Sequence, residues 1–155
     1  MAQEIERKFL IKTDRWQELN KPHGDLYRQG YLSTDPNNTI RIRLTESAAW
    51  LTIKGLTKGA SRREYEYAIP HEDAREMLDN QATHELSKTR YKITYASKLW
   101  EVDVFHGDNS GLIMAEIELE SEDEQFELPG WVGEEVTGIE RYYNSNLAVH
   151  PFNSW

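Results

Sequence analysis

Seven stretches of this chain alternate apolar residues with charged ones, and most of the charges come as like-signed pairs. Successive side chains of a β-strand point to opposite faces, so each stretch, once extended, has one apolar face and one charged face. Glu4, Glu6 and Lys8 share a face opposite Ile5, and Phe9 reads as a break in that alternation. Arg41 and Arg43 oppose Ile40, Ile42 and Leu44, Lys54 with Thr52 opposes Leu51 and Ile53, and Glu64 and Glu66 oppose Tyr65 and Tyr67. Lys88 and Arg90 oppose Tyr91 and Ile93, and Glu101 and Asp103 oppose Trp100, Val102 and Val104. Glu116, Glu118 and Glu120 oppose Ala115, Ile117 and Leu119. This period-two pattern makes the chain mainly β, with a minority of helix: an α+β protein.

The alternation predicts strands over residues 3–11, 25–33, 38–45, 48–54, 62–69, 87–96, 98–106 and 113–121. Asp35-Pro36-Asn37-Asn38 is a turn, and Gly55 to Gly59 is a loop. Pro70 followed by Glu72 and Asp73 opens a helix, and Thr13–Leu19 reads as a short one. Ser121 with Glu122, Asp123 and Glu124 behind it reads as another helix opening, and residues 144–148 as a last helical turn. No repeat or linker interrupts residues 1–155, so a single domain is expected.

An antiparallel sheet with one wet face is the plain account of any single strand here. It does not account for the set, because like charges two residues apart on one face repel. Acidic pairs suit hard cations with oxygen ligands, and basic pairs suit phosphates. Both on one surface suit a metal–polyphosphate complex. Eight strands also suffice to close a barrel, which removes the sheet edges. The charged faces would then line the interior, and the apolar faces would need cover from helices.

Composition narrows the field. The net charge of −9 gives no basic footprint for non-specific nucleic-acid binding. There is no cysteine, hence no disulfide and no thiolate metal site. Four charges within the first ten residues do not resemble a signal peptide, and no apolar run approaches the roughly 20 residues of a membrane span, so a cytoplasmic location is expected. The five histidines have no zinc-motif spacing, and Gly55 to Gly59 is not followed by the Lys-Ser/Thr of a P-loop. The five tryptophans read as packing residues.

At this point the chain resembles the CYTH superfamily, also called triphosphate tunnel metalloenzymes. The resemblance rests on Glu4-x-Glu6-x-Lys8, Tyr27-Arg28-Gln29-Gly30-Tyr31, Arg41-x-Arg43, Leu51-Thr52-Ile53-Lys54-Gly55 and Arg63-Glu64-Tyr65-Glu66. It continues through Lys88-Thr89-Arg90-Tyr91, Trp100 to Phe105, Ala115 to Glu120, Trp131 to Thr137 and Arg141 to Ala148, in order along nearly the whole chain. It implies a closed eight-stranded antiparallel barrel, a triphosphate tunnel, with a few covering helices and Mg²⁺ or Mn²⁺ as cofactor.

Carried onto this sequence, the resemblance implies Glu4, Glu6, Glu116 and Glu118 as metal ligands, with Asp103 as a further one. Lys8, Arg41, Arg43, Lys54, Lys88 and Arg90 match the triphosphate clamp. Ion pairing among these same groups is the structural reading, and both hold if substrate displaces some pairs. Glu64 and Glu66 are left between a second metal and simple charge balance. Arg28 and Lys92 are weaker clamp candidates, and Arg62 and Arg63 read either as guards of an entrance or, preferably, as solvated. Lys8 with Tyr27 matches a Lys–Tyr pair used in some members, since an ammonium beside a phenol lowers its pKa from about 10; an alkaline optimum follows. Tyr27 packing in the barrel wall is the competing reading.

The implied activity is metal-dependent hydrolysis of inorganic tripolyphosphate to pyrophosphate and phosphate. Nucleoside or thiamine triphosphate hydrolysis, adenylate cyclisation and a polyphosphate-binding module without turnover are the alternatives. The expected partner is a small-molecule triphosphate, not nucleic acid or membrane, and a homodimer is a fair expectation for such a barrel.

Overall fold

The computed structural model describes residues 3–155. Along the chain lie β1 (Gln3–Ile11), α1 (Thr13–Glu18), β2 (Asp25–Ser33), β3 (Thr39–Leu44), β4 (Ala49–Lys54) and β5 (Ser61–Ala68). There follow α2 (His71–Asn80), β6 (His84–Tyr95), β7 (Lys98–Phe105), β8 (Ile113–Glu118), β9 (Val132–Glu135) and α3 (Asn144–Val149), with three single 3₁₀ turns after β7. Eight strands pair in the order β5-β4-β3-β2-β6-β7-β8-β1, and β1 returns to β5. All these pairings are antiparallel, so the sheet closes into the expected eight-stranded barrel.

Closure depends on how β1 shares its edges. One edge pairs with β8 from Glu6↔Glu118 to Leu10↔Met114. The other pairs with β5 only at Gln3↔Arg63, Glu4↔Arg62 and Ile5↔Ser61, then with β9 at Phe9↔Glu135 and Ile11↔Val132. β9 is a ninth strand that alternation did not predict, because four residues, Val132–Glu135, are too few to show a period. The predicted helix opening at Ser121 is also corrected. Ser121–Gln125 is a turn, in which the Ser121 hydroxyl bonds Asp123 and the Glu120 amide bonds Glu124 instead of capping a helix.

The outward faces are apolar, as the pattern required, and three separate layers pack on the strands. Trp16 of α1, with Trp131 and Phe126, covers Phe9, Trp100, Val102, Ala115 and Ile117. Phe9 therefore does not break the alternation; it lies with Ile5 on the outer face. The odd residue there is Arg7, whose guanidinium is held by Glu135 at 2.6 and 2.7 Å and lies 5.0 Å over the Phe126 ring. The second layer is α2, which sets Ala74 and Leu78 on Ile42, Leu44 and Ala49. Tyr65 and Tyr67 on β5 are left 37% and 57% exposed, so the outer cover is incomplete there.

The third layer lies inside. The inward faces of β1, β6, β7 and β8 change from charged to apolar at one end, giving Leu10, Leu86, Phe105 and Met114, and Leu147 of α3 packs on them. The C-terminal segment thus closes that end of the interior.

Gly30 shows how close the α2 layer sits. A Cβ there would lie 2.7 Å from Leu78 Cδ2, 2.9 Å from Ala82 Cβ and 3.3 Å from the His84 carbonyl oxygen. We expect Gly30→Ala to destabilise the fold by about 1–3 kcal/mol through overpacking, read as a lower urea midpoint at unchanged slope. A midpoint equal to wild type would mean α2 can lift off the barrel freely.

Candidate functional site in the barrel lumen

The charged inward faces enclose a cavity of about 260 Å³. Strand parity alone brings Glu4, Glu6 and Lys8 of β1 into its wall, with Glu116 and Glu118 of β8 opposite. Arg41 and Arg43 of β3, Lys54 of β4 and Lys88 and Arg90 of β6 form the basic side, and Tyr27 of β2 completes it. Each is a sequence-predicted site residue. Glu64, Glu66 and Lys92 also line the cavity, whereas Arg28 points outward and pairs with Glu85 at 2.6 Å and Asp79 at 2.8 Å. Arg62, read from sequence as solvated, lines the lumen and donates to the Gly55 carbonyl.

Asp103 stands apart from the lining residues. It is 1% exposed, and both its oxygens are engaged: Oδ1 by Arg90 Nε at 2.7 Å, Oδ2 by Lys88 Nζ at 2.7 Å and Arg90 Nη2 at 2.9 Å. That geometry makes it the counter-ion beneath the basic wall, where the resemblance had implied a metal ligand. Burial works to raise its pKa, but Arg90 and Lys88 together hold it below the usual carboxylate range. Lys88 is pushed down to about 7, chiefly by burial, with Arg90 and Arg43 adding to the effect against the pull of Asp103.

The acidic wall behaves differently. Glu6 and Glu118 face each other directly across β1 and β8. Burial, then Glu116 and Glu4, push Glu6 up to about 8. Burial also raises Glu4 against the pull of Lys54, whose Nζ is 3.3 Å away. Glu116 goes the other way: burial opposes ionisation, but Lys8, Arg90 and Lys88 hold it well below the usual range. Lys8 Nζ lies 3.8 Å from Glu6 and 3.9 Å from Glu116.

These oxygens suit a hard divalent cation in type, and such a cation would offset both the burial and the mutual repulsion that raise Glu4 and Glu6. Among the described residues, no three such groups are already gathered as one coordination shell. On the basic side, the buried Arg41 Nε has no partner among the described residues, which leaves a donor for an anion. Arg43 is pushed down to about 10, first by burial and then by Arg41 and Arg90, so cations crowd one another on this side.

Lys8 and Tyr27, paired by the resemblance, both line the lumen. The Tyr27 ring packs against two guanidiniums, 5.1 Å from Arg43 and 5.3 Å from Arg90. The aromatic ring beside Lys8 is that of Tyr143, 5.1 Å from Nζ. Tyr143, Asn144 and Ser145 line the lumen from the head of α3, and no strand pattern could have announced them. Asn144 Oδ1 accepts from Lys88 Nζ at 2.8 Å and from Gln29 Nε2 at 3.1 Å. Trp50 and Tyr31 also line the lumen; Trp50 has the parity of Thr52 and Lys54, so the reading of every tryptophan as a packing residue is corrected for it.

Comparison with known proteins gives the same picture along the full length. An inorganic triphosphatase of Acetivibrio thermocellus is 44% identical over 156 residues, covering 100% of this chain and 99% of the relative. An inorganic triphosphatase of Nitrosomonas europaea is 40% identical over 151 residues, covering 94% and 97%. A solved structure of an inorganic triphosphatase superposes with a TM-score of 0.65 at 36% identity, covering 94% of this chain and 97% of that one. The CYTH domain model matches residues 2–146, and with barrel and sequence in agreement over that span the chain belongs to the CYTH domain family.

Proposed function

We propose that this chain is an inorganic triphosphatase, hydrolysing tripolyphosphate to pyrophosphate and phosphate inside the barrel. The observation that carries the reading is one barrel lumen lined by clustered cations and clustered carboxylates, in a chain 40–44% identical over its length to inorganic triphosphatases. Mere polyanion capture needs no acidic wall.

In this reading Arg41, Arg43 and Arg90 contact phosphate oxygens through their planar forks, and Lys8, Lys54 and Lys88 act as compact charges. Tyr27 fixes the planes of Arg43 and Arg90 by packing against both. Asp103 holds Lys88 and Arg90 in place from below. Glu4, Glu6, Glu116 and Glu118 would hold Mg²⁺ or Mn²⁺, which when bound neutralises charge on phosphate oxygens. A water oxygen forms the new bond to the terminal phosphorus as the bridging P–O bond breaks, and pyrophosphate leaves with its charge met by the basic wall.

The test is phosphate release from tripolyphosphate, ATP and thiamine triphosphate side by side, each with Mg²⁺ or Mn²⁺. We expect tripolyphosphate to be turned over fastest, with no activity in chelator. Faster release from an organic triphosphate would move the substrate assignment. Cyclic AMP formed from ATP would replace hydrolysis with cyclisation.

A further inference from the structure

A second cavity of about 90 Å³ lies against the lumen at the end where α3 packs. The two share four lining residues: Thr39, Arg62, Tyr143 and Ser145. Tyr143 is the bulky member, its side chain has no hydrogen bond among the described residues, and it also lines a third, small cavity with Glu6 and Lys8. Its ring stands 5.1 Å from Lys8 Nζ, beside a lumen cation.

The backbone that carries the ring is fixed. The Tyr143 amide donates to Glu140 O at 2.9 Å, and its carbonyl accepts from Asn146 and Leu147, both at 2.9 Å. The next residue, Asn144, is pinned to Lys88 and Gln29, and Leu147 is fully buried. On the far side of the partition Arg62 would meet an anion, with Thr34, Thr57 and Asn146 as further hydrogen-bonding groups, and the one acid lining that cavity, Glu140, is solvent-exposed.

We infer that Tyr143 is the partition that sets the length of phosphate chain the lumen accepts, with the second cavity as the space a longer chain would enter. This rests on the polyphosphate reading above. A shorter side chain at 143 would join the two cavities and place Arg62 within one continuous groove. The aromatic ring does the blocking, so the hydroxyl is dispensable.

The experiment compares wild type, Tyr143→Ala, Tyr143→Leu and Tyr143→Phe on tripolyphosphate and linear tetrapolyphosphate. Mg²⁺-dependent phosphate release is measured, together with calorimetric binding of both anions to metal-free protein. Tyr143→Ala and Tyr143→Leu should raise the tetra- to tripolyphosphate ratio by about tenfold or more, in binding as well as turnover, the scale on which the shape of a pocket discriminates between substrates of different size. Tyr143→Phe should keep the wild-type ratio. Equal scaling of both substrates in the truncated variants, or a wild type that takes both chains equally, would overturn the partition. Tripolyphosphate left unhydrolysed by wild type would sink the hydrolase reading instead, and the binding ratio would still decide the role of Tyr143. Tyr143→Leu keeps an apolar side chain at the head of α3, so the comparison survives if Tyr143→Ala folds poorly.

Discussion

Replacing Asp103 with alanine will destabilise the protein by about 3–5 kcal/mol, the cost of stranding a buried charge by removing its partner. Asp103 is the shared anion for Lys88 and Arg90, and all three are buried, Arg90 the most exposed of them at 6%. Its removal leaves a guanidinium and an ammonium side by side, with Glu101 Oε2 at 3.3 Å from Arg90 Nη1 and Glu116 Oε2 at 3.7 Å from Arg90 Nη2 as the remaining relief. Asp103→Asn will lose less, because the amide oxygen still accepts one hydrogen bond while the countercharge is gone. Urea unfolding of both variants beside wild type measures this. A loss under about 1 kcal/mol for the alanine variant would mean that water reaches Arg90, and the basic wall would not be preorganised as described.

Glu6→Gln should have the opposite sign on stability and the larger effect on activity. Glu6 sits at about 8 in the folded protein, above the ordinary glutamate value of 4.5. An acid with a raised folded pKa binds more protons folded than unfolded, so stability falls as pH climbs from the unfolded value towards the folded one. Lys88, lowered to about 7, adds no slope until pH passes that value, and Glu116 adds none until pH falls below the ordinary carboxylate range. Between pH 5 and 7, then, the melting temperature of metal-free wild type should decline with pH, and Glu6→Gln should flatten that decline. Mg²⁺ should flatten it in wild type as well. The same variant should lose phosphate release by about 100-fold or more, the scale of removing one preorganised electrostatic contact from a transition state. A variant that melts in parallel with wild type across that window would refute the raised Glu6 pKa that burial and its carboxylate neighbours produce, whatever its activity.

The charged faces were legible because a barrel wall is a period-two object. Once Arg41 and Arg43 share a side, their opposition to Ile40 and Ile42 decides inside from outside without further information. The same parity rule held Arg62 and Trp50 in plain view, and only the habit of reading arginine as solvated and tryptophan as core hid them. What alternation could not reach is the contribution of short, aperiodic pieces. β9 is four residues long, and Tyr143, Asn144 and Ser145 arrive through the packing of Leu147 on Phe105 and Met114, a contact between distant parts of the chain. Asp103 shows a subtler gap. Its parity correctly turns it inward, but the depth at which it sits depends on the stagger between strands, which no single strand encodes.

The triple pairing of β1 also governs when the lumen can exist at all. Its residues find partners on β5, β8 and β9, and the Arg7–Glu135 contact spans 128 residues of sequence. Contacts this remote in sequence carry a large loop-closure cost and slow the search for the native topology. Until β8 is present, Glu6 and Lys8 lack their cross-strand neighbours Glu118 and Glu116, and until residues 132–135 follow, β1 keeps part of an edge open. A nascent or truncated chain that lacks β8 and β9 therefore lacks the acidic partners of β1 as well as its closure.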